Sequence, residues 1–355
     1  MKRFMTLLSI TVTCCLLLTA CGSMIGGKNT NRIYGNTLAN LNCGGMAVEY
    51  DGTAYFSTGN GVYAQESEGI RQVYDTPMIY LNVSDDGMLY GITLLDSEED
   101  TVGVVGMKLD GTARTVLYRF GQDVIGMRDT FLAWYDHALL IQSGDVLLRL
   151  DLSSNKTSVL ARDVGEMGIR SVVMDEEWIY YPKVDSSAGF GRNEFYRVSL
   201  DGKKAEKCSE AVALLLRGGD FISPVSGETV YRLQPDDGQG IVVETIHTDA
   251  GEKRFRPLKT IGKKVDGPTE DIPLWVSGDT MYCVMNLADD SGEALCRISF
   301  SHGAGEIRVL STGDFYGYWI NVIQNTAYCI PGSSDDEPVL VVDCDTGEMT
   351  SLPVF

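Results

Sequence analysis

The sequence predicts an all-β chain, a β-propeller of seven four-stranded blades, on three observations. No stretch sustains the periodicity of an amphipathic helix. Tyrosine recurs at one position of a repeating unit, at Tyr55, Tyr90, Tyr180, Tyr231, Tyr282 and Tyr328, with Leu140 filling the gap, at separations of 35 to 51 residues. A second series of alternating runs follows in phase: Val62-Tyr63-Ala64, Met107 to Gly111, Leu148 to Asp151, Tyr196 to Gly202, Val243 to Gly251, Cys296-Arg297-Ile298 and Val341 to Gly347.

The unit is clearest from Ser171 to Gly202. An apolar run meets a tight acidic turn, then the aromatic run Trp178-Ile179-Tyr180-Tyr181, a polar loop, and an alternating run closed by Asp201-Gly202. That order spells three antiparallel strands. A more variable fourth follows, as at Thr115 to Phe120, Arg254 to Ile261 and Glu306 to Ser311. One unit cannot bury both faces, so the copies must stack, and a repeat of about 40 to 50 residues is the length of a four-stranded propeller blade. The irregular fifth unit, Ile222 to Lys264, leaves six or eight blades as alternatives. The first strand of each unit is expected innermost, with Leu140 where the other units place Tyr. Residues Ile33 to Leu41 are expected to pack near the last blade, from Met349 to Phe355, because a ring must bring its ends together and cover open edges.

Ahead of the ring, Met1-Lys2-Arg3 and the apolar run Met5 to Ala20 read as an export signal too short to span a bilayer. Leu18-Thr19-Ala20-Cys21 resembles the lipobox of bacterial lipoproteins, which implies cleavage before Cys21 and a diacylglycerol-bearing, palmitate-type acylated thiol there. The expected organisation is a signal peptide at 1–20, a flexible tether at 21–32, rich in Gly, Ser, Lys and Asn, and a single propeller domain at 33–355. Two acyl chains suffice for a stable anchor, which places the protein on the extracytoplasmic face of the cell membrane.

The formal charge is -20, and removing residues 1–20 takes away Lys2 and Arg3, leaving -22. Such a balance argues against nucleic acid as a partner and leaves the lipid, not the protein surface, to hold the membrane. Of nine Cys, Cys14 and Cys15 leave with the signal and Cys21 carries lipid. Cys43, Cys208, Cys283, Cys296, Cys329 and Cys344 lie mostly in strand patterns, where Cys acts as a small hydrophobe, so free buried thiols are expected. Cys283 and Cys296, on neighbouring strands of one hairpin, are the pair placed to form a disulfide.

Gly35-Asn36-Thr37-Leu38-Ala39-Asn40, Gly44-Gly45, Ala54-Tyr55-Phe56, Leu81-Asn82-Val83 and Met88-Leu89-Tyr90 together resemble a bacterial domain of unknown function described as similar to the propeller of low-density-lipoprotein-receptor-related proteins. The resemblance implies a propeller in a secreted or lipid-anchored protein and brings no catalytic residues. The Tyr-Trp-Thr-Asp signature of the receptor propellers is absent.

No residue pattern selects a reaction. His137, His247 and His302 fall in different repeats without zinc-ligand spacing, and Gly-x-Ser-x-Gly and His-Glu-x-x-His are missing. Gly59-Asn60-Gly61 and Gly189-Phe190-Gly191 read as hairpin turns with no helix behind them to hold a phosphate. Asp343 to Glu348 lacks the spacing of a calcium loop. No cofactor or metal is expected. Candidate binding residues are Tyr80, Asn82, Arg170, Trp275, Tyr318, Trp319 and Asn321, which fall towards the starts of first strands and would ring one mouth of the channel. Acidic loops supply a second set. Asp96 to Asp100, Asp236-Asp237, Asp289-Asp290 with Glu293, and Asp335-Asp336-Glu337 would crown one rim and steer a cationic partner. The function expected is a non-catalytic binding module for a protein, peptide or glycan. The alternatives are an envelope-assembly scaffold, or a hydrolase or lyase of envelope polymers with channel acids as its catalysts.

Overall fold

The computed structural model describes residues 34–96, 101–121, 129–165, 172–183, 194–210, 212–213, 225–226, 229–236, 240–247, 253–269, 274–300, 305–332 and 337–352. The described chain is a β-propeller of seven blades, at 47–74, 78–119, 130–162, 173–207, 225–261, 265–313 and 318–352. Five are separate four-stranded antiparallel sheets with strands in chain order; blades 5 and 6 share one nine-stranded sheet. First strands are innermost, and those of blades 1 and 2, 2 and 3, 4 and 5, 5 and 6, 6 and 7, and 7 and 1 touch. Blades 3 and 4 meet through a shared apolar cluster that includes Trp134, Leu139, Met174 and Ile179.

The recurring position of the sequence is one place in space. Tyr55, Tyr90, Leu140, Tyr180, Tyr231, Tyr282 and Tyr328 are each the third residue of their blade's second strand. At Tyr180 and Tyr328 the ring is buried while the hydroxyl reaches a polar partner. Tyr180 donates to Asp175 within its own blade, and Tyr328 donates to Gln65 of blade 1 across the closing seam, both near 2.8 Å. The third strand leaves room for the ring, since a Cβ at Gly106 would sit 2.9 Å from Tyr90.

The irregularity read in the fifth unit is real. Among the described residues its first strand is Val225–Ser226, and its outer strand Lys253–Ile261 pairs parallel with the outer strand Gly305–Gly313 of blade 6, from Leu258↔Gly305 to Ile261↔Arg308. Outer strands of neighbouring blades run the same way, so edge-to-edge pairing is necessarily parallel. Blade 6 also departs from the pattern, its inner strand being split into Val265–Pro268 and Trp275–Ser277. The six described cysteines are free and buried, and burial raises the thiols of Cys283, Cys296 and Cys329.

The expected place of the N-terminal segment near the last blade holds for Leu38–Asn42, which touches the inner strand of blade 7, but its neighbour is not the strand at Met349. Met349–Leu352 is the outermost strand of blade 7, whereas Tyr34 to Met46 lies at the centre of the ring, its short helix Leu38–Asn42 touching the inner strands of blades 4, 6 and 7. Each blade is built from one continuous stretch of chain, so none borrows an N-terminal strand at the rim. The unpaired inward edges of the inner strands instead carry backbone N–H and C=O groups that require partners once buried, and this segment supplies them.

Candidate functional site

Three of the channel candidates, Asn321, Trp275 and Tyr80, hydrogen-bond to that central segment, and a fourth, Asn82, packs beside its Gly35. Asn82 and Asn321 are both 0% exposed. Asn82 Oδ1 accepts the Trp134 N–H at 2.9 Å, and its Nδ2 donates to the Tyr80 and Leu132 carbonyls, tying blade 2 to blade 3. Asn321 Oδ1 accepts the Ala47 N–H at 3.1 Å while its Nδ2 donates to Cys43 O at 3.2 Å, tying blade 7 to blade 1. The Trp275 indole N–H donates to Asn40 Oδ1 at 2.7 Å. Tyr80 is buried against Phe131, ring centroids 5.3 Å apart. Its backbone φ is +54°, a left-handed conformation that is uncommon for residues other than glycine. The neighbouring segment explains it: the Tyr80 and Leu81 N–H groups donate to the Gly44 and Gly45 carbonyls at 2.8 and 2.7 Å. Gly45 cannot carry a side chain, because its φ is +56° and a Cβ would lie 2.8 Å from Tyr80 Cα.

The central segment was not recognised in the sequence as a structural part. Its signal is the spacing of Asn36, Asn40 and Asn42, all buried. Asn36 donates to the Ala47 and Leu81 carbonyls; Asn40 exchanges two hydrogen bonds with the Val322 backbone; Asn42 does the same with Met174. The channel is therefore occupied by the protein's own chain. Tyr34, at the segment's start, bridges to Tyr135, and its hydroxyl donates to Glu176 O at 2.6 Å. Both partners stand at first-to-second-strand turns, so Tyr34 marks that face of the ring.

On the opposite face a second group of candidates does come together. Loops between second and third strands and connections between blades meet there, as the Phe315 N–H donating to Glu293 at 2.8 Å demonstrates. Burial raises the Glu293 carboxyl, Asp314 adds to that shift, and the Phe315 N–H opposes it. Tyr318 donates to Pro338 O at 3.2 Å, and burial, with Glu337 and Asp314 contributing, pushes its hydroxyl up to about 12. Trp319 is half-buried and Glu337 exposed. Sequence reasoning missed Tyr316, which stands 71% exposed between Asp314 and Tyr318 and is the most exposed large apolar side chain among the described residues. Arg170, Asp335, Asp336 and the lipidation candidate Cys21 lie outside the described residues, as do 97–100 and Asp237 of the acidic loops. Asp289 and Asp290 are exposed, and Asp289 is held low by the Ser291 hydroxyl and N–H of its own turn.

Two buried or half-buried carboxylates have raised pKa values, Asp175 and Glu293. They stand on different blades and opposite faces, and each accepts main-chain N–H bonds: Asp175 caps its turn through Glu177 and Trp178. A cleft of about 480 Å³ lies on blade 4, walled by Tyr180, Arg197, Glu206, Lys207 and Cys208. Its charged groups are engaged, Arg197 pairing with Glu206 and stacking 4.3 Å from the Trp178 ring centroid. Burial holds the Cys208 thiol at about 12, which keeps it protonated and unreactive. Among the described residues no three His, Cys, Asp or Glu side chains gather as a metal site, and no helix is long and apolar enough to cross a membrane.

No family model and no curated protein matches the chain in sequence. Solved structures do match. The β-propeller domain of the Trilobed protease from Pyrococcus furiosus, which has an open velcro topology, superposes with a TM-score of 0.51 at 12% identity over 85% of this chain and 94% of that one. An oligogalacturonate lyase in complex with manganese gives 0.47 at 13% identity, over 75% of this chain and 73% of that one. TolB from Acinetobacter baumannii gives 0.38 at 11% identity, over 84% and 78%. What the chain shares with the propeller of the Trilobed protease is the β-propeller fold.

Proposed function

We propose that this chain is a lipid-anchored propeller on the extracytoplasmic face of the cell membrane, a non-catalytic binding module for a positively charged protein or peptide segment. The observation that carries this reading is the filled channel. With the axis occupied by Tyr34 to Met46, a ligand must be met on an outer face, and the face opposite Tyr34 presents Tyr316, Trp319, Asp314 and Glu337. An exposed aromatic ring beside carboxylates suits a Lys- or Arg-bearing segment, through cation–π contact and charge complementarity.

Crosslinking on intact cells followed by mass spectrometry identifies the partner. Tyr316→Ala is then expected to weaken its binding by about 2 kcal/mol, roughly thirtyfold, as for a central aromatic contact. Glu337→Gln and added salt should chiefly slow association, because exposed charges are screened over about 10 Å near 0.1 M salt. A partner that responds to none of the three binds elsewhere. For the anchor, Cys21→Ser is expected to leave an unprocessed or shed protein in place of an acylated one, read by mass spectrometry of the N-terminus. Processing of the wild type that ignores globomycin would refute the lipid.

A further inference from the structure

The segment in the channel makes contacts unlike those of a blade strand. It binds by spokes: Gly35 to Trp134 of blade 3 and Val83 of blade 2, Gly44 and Gly45 to blade 2, Asn42 to blade 4, Cys43 and Asn40 to blade 6, Asn40 again to blade 7. Blade 5 is joined to blade 6 at the outer edge. Among the described residues the first and last blades share no strand, and their seam is an apolar face that includes Ala47, Phe56, Tyr328 and Ile330, with Asn321 as its inner tie. The receiving side is shaped for the segment. Tyr80 holds a left-handed backbone that aims two successive N–H groups at Gly44 and Gly45, a strain that persists only where surrounding contacts fix it.

We propose that the inward edges of the inner strands form a peptide-binding surface whose resident ligand is Tyr34–Met46, and that this segment is a latch that opens and closes as one unit and takes the place of a strand shared between the first and last blades. The latch's recognition elements are side-chain amides at Asn36, Asn40 and Asn42 and main-chain carbonyls at Gly44 and Gly45. Because the latch is continuous with the chain that precedes Tyr34, a cut ahead of Tyr34 frees the ring without unlatching it.

Hydrogen exchange on the full chain tests this. Asn40→Ala should speed exchange by about tenfold or more at Val322, whose N–H loses its acceptor. Because the latch opens as a unit, exchange should also rise at Tyr80, Leu81 and Met174, which Asn40 does not touch. The outer strands Gly69–Tyr74 and Lys156–Arg162 should be unchanged. Faster exchange at Val322 alone, or an equal rise in inner and outer strands, would overturn the latch. Should the variant not fold, the wild type in graded sub-denaturing urea gives the same answer. The Leu41, Gly45, Tyr80, Leu81 and Met174 amides share a single opening step if the latch is a unit, and each opens with its own blade if it is not.

Discussion

Replacing Trp134 with alanine is expected to lower the unfolding free energy by about 3–5 kcal/mol, the cost of deleting a large aromatic from a packed core. The ring is 1% exposed and belongs to the apolar cluster shared by blades 2, 3 and 4. The site has little freedom to collapse into the cavity. Its backbone is held on both sides, by Asn82 Oδ1 on the N–H and by the Gly35 N–H on the carbonyl, and Gly35 approaches so closely that a Cβ there would sit 2.7 Å from Trp134 Cβ. Equilibrium urea unfolding measures the loss. Val159→Ala, on the same blade but 46% exposed, serves as the control and should stay within about 0.5 kcal/mol.

The blade rhythm was legible in the sequence because it is local. A strand, a turn and the next strand are specified by neighbouring residues, so the seven third-position residues and even the substitution of Leu140 for Tyr could be read in order. Many acids were legible for the same reason. Asp110, Asp151, Asp201 and Asp343 are held low by hydroxyl and N–H donors two or three residues away, which is turn chemistry. The centre was not legible. A polar residue at an inner-strand position looks the same whether it faces a ligand or a buried backbone, and the partners that decide between them are remote: Asn40 and Val322 are separated by 282 residues, Asn42 and Met174 by 132. The outer pairing of blades 5 and 6 escaped for a related reason, since edge-to-edge contact leaves no alternation of its own in either strand. Tyr316 was passed over because a solvent-facing connection between blades imposes no pattern on its sequence.

Asn321→Ala should cost about 2–6 kcal/mol, because it removes the hydrogen bonds of two buried backbone groups at the ring's closing seam, at about 1–3 kcal/mol each. Those groups are the Ala47 N–H and the Cys43 carbonyl. Asn82→Ala removes the equivalent tie between blades 2 and 3, where the chain itself runs from one blade into the next. The two variants therefore separate seam from blade. Both should lower stability, but only Asn321→Ala should expose the Ala47 and Val48 amides to exchange, since no covalent connection backs up the contact between the last blade and the first. Asn321→Asp sharpens the point. Its carboxylate still accepts the Ala47 N–H but has no donor for Cys43 O, and it buries a charge. Burial would raise its pKa in the folded state, so the folded protein binds the proton more tightly than the unfolded one. The penalty should therefore be largest at neutral pH and shrink as the pH falls through that raised value, when the protonated carboxyl regains a donor. Asn321→Ala has no such group and supplies the baseline. A pH-independent gap between the Asp and Ala variants, or a loss below 1 kcal/mol for Ala, would mean that the apolar faces of blades 7 and 1 close the ring without this side chain.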